Sequence, residues 1–149
     1  MEYLKLGHME QGGQYYDDHA KGYYIPHYAV FKSNSITTKT RVVFDASATE
    51  SSGKSLNDIL MKRPVVQPTL YSTLLRFRIH QIALTADIEK MYRQILVHSD
   101  DCQLQKIVYR SKPTDELQEL ILKTVTYGTK TAPYLATRCL LSSTVGENV

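Results

Sequence analysis

The order of predicted strands and helices along the 149 residues predicts an α+β fold, because strands and helices mix without regular β-α alternation. Paired strand-like segments joined by turn residues predict antiparallel sheet, and two segments with helical spacing predict helices that pack on it. A hydrophobic fraction of 42% and a charged fraction of 22% are typical of a globular domain long enough to bury a core.

Five segments read as strands. "YYIPHYAVFK" (23–32) and "TKTRVVFD" (38–45) are rich in β-branched and aromatic residues, and they predict a hairpin. "CQLQKIVYR" (102–110) and "LQELILKTV" (117–125) flank a proline-containing turn and predict a second hairpin. "QIALTAD" (81–87) is short and apolar, which predicts a buried central strand.

Helices are predicted at three places. "TLYSTLLRFRI" (69–79) places Leu70, Leu74 and Phe77 on one face, which predicts an amphipathic helix. "KTAPYLATRCLLSS" (130–143) predicts a helix with a proline in its first turn, and "IEKMYRQIL" (88–96) a further helical segment. Residues 1–22 contain four glycines and little periodicity, so they predict a loosely ordered N-terminal arm.

Charge and cysteine content limit the classes of function. No run approaches the ~18 apolar residues of a membrane span, and charged residues soon after Met1 argue against a secretory signal. Cys102 and Cys139 show no ligand spacing, so a reducing intracellular compartment, cytoplasmic or nuclear, is expected. Residues 54–78 hold five cations against Asp58, which fits either a phosphate-binding surface or a solvated helix face.

Asp87 stands at the carboxyl end of the predicted strand 81–87. A buried acid there needs a cation or hydrogen-bond donors, so Asp87 is either a helix N-cap or a metal ligand. Tyr92, five residues later, is a core aromatic residue by the simplest interpretation.

"ALTADIEKMYRQI" resembles the first catalytic motif of reverse transcriptases. The resemblance implies that Asp87 is a catalytic metal ligand, with the backbone carbonyl of Ile88 as a second ligand. It also implies that Tyr92 is the aromatic gate that rejects a ribose 2′-hydroxyl. Two ions about 3.5–4 Å apart require several carboxylates around them.

Two other stretches are similar to reverse-transcriptase motifs in the same order. "KTRVVFDAS" resembles the fingers hairpin, which implies that Arg41, with Lys39 and Lys32, holds the triphosphate. "VTYGTKTAPYLATRCL" resembles the second palm motif, which supports template and nucleotide. The matching positions there are Gly128, Lys130, Ala132, Pro133 and Arg138, while Tyr127 stands where many family members have Gln or Phe.

From about Tyr23 to Leu141 the ordered motifs look like the polyprotein of BEL/Pao-type LTR retrotransposons. The resemblance implies a truncated fingers and palm of a right-hand polymerase over residues 23–149, without the Y-x-D-D hairpin, thumb or nuclease domain. The complete enzyme would be an RNA-directed DNA polymerase using two Mg²⁺ or Mn²⁺ ions, an RNA template, a DNA primer and dNTPs. The isolated chain is expected to be inactive, and alternatives are a non-catalytic nucleic-acid-binding remnant and a product without activity.

Three other patterns are interpreted as chance matches. Tyr15–Asp18 fits Y-x-D-D but precedes the fingers, whereas the family places that hairpin after the Gly-Pro motif. "FDAS" (44–47) lacks the Asp-Thr/Ser-Gly of an aspartic protease. His8, His19 and His27 match no zinc-ligand spacing, so surface histidines are expected.

Overall fold

The computed structural model describes residues 2–14, 22–31 and 40–145, and it combines antiparallel sheet with helices as an α+β fold. The helices are α1 (Glu2–Lys5), α2 (Leu56–Ile59), α3 (Leu70–Ile79) and α4 (Ala132–Val145). The strands are β1 (Met9–Gln14), β2 (His27–Phe31), β3 (Thr40–Phe44), β4 (Lys106–Tyr109) and β5 (Gln118–Leu122). Two short 3-10 helices cover Met91–Gln94 and Asp101–Leu104.

The larger sheet has the order β1-β5-β4, with both neighbours antiparallel to β5. The predicted hairpin between residues 102–110 and 117–125 is confirmed, with Ile107 opposite Leu120. β5 is buried from Glu119 to Leu122, as expected for a central strand.

The N-terminal arm contains more regular structure than the glycine content predicts. β1 pairs with β5, with Met9 opposite Leu122. A Cβ on Gly12 would lie 2.5 Å from Glu119 Oε1, so the missing side chain lets β1 approach the sheet here. The prediction of a loosely ordered arm was therefore wrong for residues 9–14. The Y-x-D-D match at Tyr15–Asp18 lies outside the described residues.

The smaller sheet is the hairpin of β2 and β3, in which His27 pairs with Phe44 and Phe31 with Thr40. This pairing confirms the predicted hairpin, with shorter strands than the sequence indicated. Residues 32–39, which include Lys32 and Lys39, lie outside the described residues.

The prediction of a central strand over residues 81–87 was wrong. Residues 83–88 have no regular secondary structure, and all of 81–88 are exposed. The physical reason is the pairing of β5, because β1 and β4 occupy its two edges and leave no central position for another strand. The helix predicted over 88–96 is reduced to the 3-10 helix Met91–Gln94, which follows Lys90 in a left-handed conformation (φ 52°) that an α-helix does not accept.

Both longer helices form as predicted, but only one packs. α4 carries Pro133 in its first turn and buries Ala132 and Ala136. α3 is capped by Thr69, whose hydroxyl accepts a hydrogen bond from Ser72 N at 3.2 Å.

The predicted apolar face of α3 is not buried, which corrects the expectation that this helix packs on the sheet. Leu70 is 74%, Leu74 55% and Phe77 38% exposed. Helical spacing and a cap specify a helix, whereas burial also needs a partner surface, and none of the ten residues of α3 is buried. Among the described residues, no helix has the length and apolar character needed to cross a bilayer.

The core lies where the two sheets and α2 meet. Its nine buried side chains come from β1, β3, β4 and β5, from α2, and from the loops that follow β3 and precede β2: Met9, Tyr23, Ile25, Phe44, Ala46, Leu56, Ile107, Leu120 and Leu122. Leu120 and Leu122 have no exposed surface, and each fully buried leucine contributes about 1.5–3 kcal/mol.

A buried ion pair links two strands of the larger sheet. Lys106 Nζ lies 3.2 Å from Glu119 Oε1, and the two side chains are only 6% and 11% exposed. The Tyr24 hydroxyl also donates a hydrogen bond to Glu119, and its ring lies 5.6 Å from Lys106 Nζ. Charges removed from water depend on such partners, so each member of this group holds the others in place.

We predict that Glu119→Gln lowers the free energy of unfolding by about 3–5 kcal/mol, because it leaves the Lys106 ammonium buried without a counter-charge. The matched control is the double variant Lys106→Met/Glu119→Leu, which removes both charges and should stay within about 1 kcal/mol of the wild type or exceed it. Urea unfolding of the wild type, the single variant and the double variant, followed by circular dichroism, measures the free energy of unfolding of each. Equal losses in the single and double variants would contradict the prediction.

Candidate functional site

A cavity of about 630 Å³ lies between α1, β3 and the 3-10 helix Met91–Gln94. Its wall includes aromatic and aliphatic side chains together with several charged ones. The residues that line it are Glu2, Tyr3, Leu6, His8, Thr40, Arg41, Val42, Val43, Lys90, Met91, Tyr92, Arg93 and Tyr127. This volume lies within the range of small-molecule sites, about 300–1,000 Å³.

Arg93 is the most unusual residue in the wall, because its charged side chain is buried and only 6% of the residue is exposed. Its guanidinium carbon lies 4.6 Å from the ring centre of Tyr3, 5.1 Å from that of Tyr127 and 5.4 Å from that of Phe44. Cation–π contacts of desolvated guanidinium groups contribute about 2 kcal/mol each. The three aromatic rings therefore stabilise this buried charge, which is the role that a carboxylate has in a buried ion pair.

The hydrogen bonds of Arg93 are incomplete. Nη1 lies 3.2 Å from Thr124 Oγ1, to which it donates. Nε and Nη2 are buried and have no hydrogen-bond partner among the described residues. A buried donor without an acceptor costs about 1–3 kcal/mol, and more when it is charged, so the contacts with the three rings have to offset this cost.

Local backbone structure explains how Arg93 reaches this position. The left-handed Lys90 starts a tight turn in which Arg93 N donates to Lys90 O at 2.6 Å. Val125 N then donates to Ile95 O at 2.9 Å, which fastens the end of the turn beside β5. The turn is thus tied directly to the chain that follows the central strand.

Tyr127 closes the other side of the cavity. Its hydroxyl donates to Val42 O at 2.7 Å and lies 3.1 Å from the Tyr3 hydroxyl. Burial and the neighbouring Tyr3 raise the pKa of Tyr127 to about 12, so its hydroxyl remains a donor at neutral pH.

The electrostatic environment of the cavity is positive. Burial and then the nearby charges of Arg93 and Lys90 lower the pKa of His8, which keeps that imidazole neutral. Lys90 is paired with Glu2 at 3.0 Å, so their charges largely cancel. Within residues 2–14, 22–31 and 40–145, neither Arg41 nor Arg93 forms an ion pair with a carboxylate, so this part of the wall is positively charged.

Two residues that the sequence assigned to nucleotide binding come together here. Arg41, on β3, and Tyr92, on the 3-10 helix, line the same cavity, although 51 positions separate them in the sequence. The other two predicted triphosphate ligands, Lys32 and Lys39, lie outside the described residues.

Asp87 and Ile88 do not line this cavity. Asp87 is exposed, Ile88 is 42% exposed, and both lie in the irregular segment that replaces the predicted strand. In the described part of the chain, no group of three or more His, Cys, Asp or Glu side chains is placed to hold a metal ion. One exposed carboxylate does not fit a two-ion centre, which needs several carboxylates.

The residues predicted to support template and nucleotide divide into two groups. Tyr127 lines the cavity, and Gly128 follows it directly, with Asn57 Nδ2 donating to Gly128 O at 3.0 Å. Lys130 is held by Asn57 as well, since Lys130 Nζ donates to Asn57 O at 3.0 Å. Pro133 and Arg138 are exposed on α4, away from the cavity wall.

The sequence did not single out Arg93 or Tyr3. Arg93 lies inside the quoted motif "ALTADIEKMYRQI", directly after the predicted gate Tyr92, but an arginine in an amphipathic segment is usually solvated. Tyr3 belongs to the arm that glycine content marked as loose. The only sequence signal was the closeness of Arg93 to Tyr92.

We predict that Gly128→Ala lowers the free energy of unfolding by about 2–4 kcal/mol, because Gly128 has φ 95° and a Cβ there would lie 2.2 Å from Phe44 O. Gly53→Ala is the matched control, since Gly53 has φ 76° with nothing within 4 Å of the added Cβ. It should cost about 1–2 kcal/mol from backbone conformation alone. Thermal unfolding measures the loss of stability in each variant. An equal loss in the two variants would contradict the prediction that the close contact with Phe44 O adds to the cost at Gly128.

The site thus consists of two arginines, three tyrosines, the paired charges of Glu2 and Lys90, and apolar side chains around one cavity. Its chemistry suits a ligand with a strongly anionic part and a flat apolar part. Comparison of the sequence with protein-family models gives no match, and comparison with curated proteins gives none either.

Proposed function

We propose that this chain is a fingers-and-palm portion of an RNA-directed DNA polymerase of the BEL/Pao retrotransposon type. The proposal is supported by the ordered motifs between Tyr23 and Leu141, together with one observation of geometry. Arg41 and Tyr92, taken from separate motifs, line a single cavity of nucleotide size. Chance matches to short motifs have no reason to converge in this way.

In this proposal the cavity binds an incoming dNTP. Arg41 supplies fixed positive charge for the triphosphate, and a guanidinium can bind phosphate oxygens in pairs. The half-buried ring of Tyr92 gives a rigid surface against the sugar, where an added 2′-hydroxyl would collide. Binding and sugar discrimination are therefore the functions that the described residues can perform by themselves.

Chain extension requires more than these residues provide. In the complete enzyme, the primer 3′-hydroxyl attacks the α-phosphorus of the dNTP and pyrophosphate leaves. Two Mg²⁺ or Mn²⁺ ions would supply the charge that this step needs. Asp87 is the one carboxylate that this chain contributes by resemblance, and its exposed position does not complete such a centre, so the isolated chain binds nucleotide without polymerising it.

We predict that the chain binds dGTP more tightly than GTP and that Tyr92→Val removes this preference, because valine lacks the ring that excludes the 2′-hydroxyl. Arg41→Ala should weaken the binding of both nucleotides about tenfold or more, the loss of one charge-assisted contact. Equilibrium titration with each nucleotide measures these affinities. A primer-extension assay should give the same absence of product for the wild type and Asp87→Ala.

Arg110→Ala serves as the control for these titrations, because Arg110 is exposed and lies outside the cavity wall. It should leave both affinities unchanged. Equal affinity of the wild type for dGTP and GTP would count against Tyr92 as a gate, and extension above the Asp87→Ala background would show that the chain is active alone.

A second candidate function is supported by a different surface. Residues 59–86 contain four cations and no acid, and Lys62, Arg63, Arg76 and Arg78 are all exposed. Tyr71, in the same stretch, is 71% exposed and offers a face for base stacking. A non-catalytic nucleic-acid-binding remnant would use this surface, through phosphate contacts without sequence preference.

We predict that single-stranded DNA binding by this surface weakens as salt rises, and that Arg76→Ala/Arg78→Ala lowers the slope of log K against log salt by about 1.4, or 0.7 for each phosphate contact. Fluorescence anisotropy at several salt concentrations measures the slope. Arg110→Ala/Lys112→Ala is a control of equal charge change on the exposed hairpin turn. An equal decrease in that control would indicate an effect of net charge alone.

A further inference from the structure

The surface formed by α3 and the residues that follow it carries an unusual concentration of exposed apolar side chains. Across residues 2–14, 22–31 and 40–145, nineteen large hydrophobic residues are exposed, and eight of them lie between positions 70 and 84. These eight are Leu70, Tyr71, Leu74, Leu75, Phe77, Ile79, Ile82 and Leu84. A patch in which exposed apolar side chains are this concentrated is typical of a surface that binds a protein partner or a bilayer.

Residues 70–84, which we call the α3 surface, place cations and apolar groups side by side. The chain turns back after α3, so that one open pocket of about 220 Å³ is lined by Arg76, Phe77, His80, Ile82, Ala83 and Leu84. Ile82 is 78% and Leu84 87% exposed. A cation beside exposed aliphatic side chains fits a molecule that joins an anionic group to a hydrocarbon chain.

The charge of this region has one sign. No acidic residue occurs between Asp58 and Asp87, whereas Arg76 and Arg78 are exposed on α3 and two further exposed cations precede the helix. Neither α3 arginine forms an ion pair with a carboxylate in the described part of the chain. A second copy of the chain would bring like charges together on this surface, whereas an anionic partner would be attracted to it.

We infer that the α3 surface binds the face of a bilayer that contains anionic phospholipids, with α3 lying in the plane of the interface. At 3.6 residues per turn, the six apolar side chains of α3 cover about 200° of its circumference, whereas the stripe by which a helix contacts a protein is roughly 100° wide. A helix about 10 Å wide that sinks about 5–10 Å into the boundary between headgroups and acyl chains buries half of its circumference or more. The wide apolar arc therefore fits a bilayer better than a protein groove.

The other side chains of α3 suit this orientation. Ser72 and Thr73, on the polar side of the helix, are half-buried, whereas the other eight residues are exposed, so the apolar arc is the free side. Arg78 falls within the arc, but its long side chain can extend to the headgroups while its methylenes stay among apolar groups. The Tyr71 ring suits the same level of the interface. Nucleic acid would use the cations and Tyr71 but would leave the aliphatic side chains without a role.

The test mixes the full 149-residue chain with large unilamellar vesicles and separates the bound protein by centrifugation. We expect the wild type to bind vesicles of phosphatidylcholine and phosphatidylserine at least tenfold more tightly than vesicles of phosphatidylcholine alone, because the cations meet anionic headgroups. The preference should decrease as salt rises, since salt screens this attraction. Equal binding to both kinds of vesicle, or to neither, would overturn the inference.

The apolar contribution is tested with Leu74→Ser/Phe77→Ser, which should weaken binding to the phosphatidylserine vesicles at least tenfold. Phe31→Ser/Leu96→Ser is the matched control, because it also removes one exposed phenylalanine and one exposed leucine, both outside the α3 surface. The control should bind like the wild type. An equal loss in the two variants, or no loss in Leu74→Ser/Phe77→Ser, would overturn the inference.

The charge contribution is tested with Arg76→Gln/Arg78→Gln. This variant should bind the same vesicles about 30-fold more weakly, or about fivefold for each cation. Arg110→Gln/Lys112→Gln, an equal charge change on the exposed hairpin turn, should have little effect. Binding that depends on the arginines but not on Leu74 and Phe77 would indicate a purely electrostatic surface, such as one for nucleic acid, and would overturn the inference.

Two further measurements on the wild type complete the test. Sedimentation velocity without lipid should give a monomer, and a dimer that Leu74→Ser/Phe77→Ser abolishes would show that a second copy covers this surface. Should a variant fail to fold, bicelles that contain phosphatidylserine and a spin-labelled lipid should broaden the nuclear magnetic resonance signals of residues 70–84. Broadening confined to other residues would overturn the inference. Neither measurement involves a nucleotide, so the result is independent of the proposed polymerase function.

Discussion

The pairing of β5 with both β1 and β4 is the constraint on which the rest of the molecule depends. It buries Leu120 and Leu122 at the centre of the core, and it occupies both edges of the strand. The chain that leaves β5 then carries Thr124, which fastens Arg93. Because the site is tied to this strand, changes in strand pairing would also move the cavity wall.

Two buried cations are accommodated by different physical means. Lys106 meets a carboxylate directly, in Glu119, and the Tyr24 hydroxyl completes the group. Arg93 meets aromatic faces, which attract its charge without satisfying all of its donors. The first arrangement pairs the charge with a carboxylate between two strands of the sheet, whereas the second stabilises the charge through aromatic faces in the wall of the cavity.

Sequence reasoning succeeded where local signals were strong. Strand-forming residues and turn residues indicated both hairpins, the spacing of the apolar residues indicated α3, and Pro133 marked the start of α4. It failed for residues 81–87, where an apolar run suggested burial. Apolar content shows that a segment can be buried, but a central strand also needs a free neighbour on each side. The prediction for β1 failed in the opposite direction. Its glycines suggested a loosely ordered segment, but the missing side chain of Gly12 allows β1 to approach Glu119 closely.

The sequence by itself determined the fold class, the two hairpins and the helices α3 and α4, and it singled out Arg41 and Tyr92 as candidate site residues. Those features depend on neighbours within a few positions, where periodicity, caps and turns act. Only the tertiary structure decided that Arg41, Tyr92 and Arg93 share one cavity, that Asp87 stands apart from it, and that the apolar face of α3 is exposed. These outcomes depend on which strand edges are occupied and on contacts between residues far apart in the chain, and no local pattern encodes such contacts.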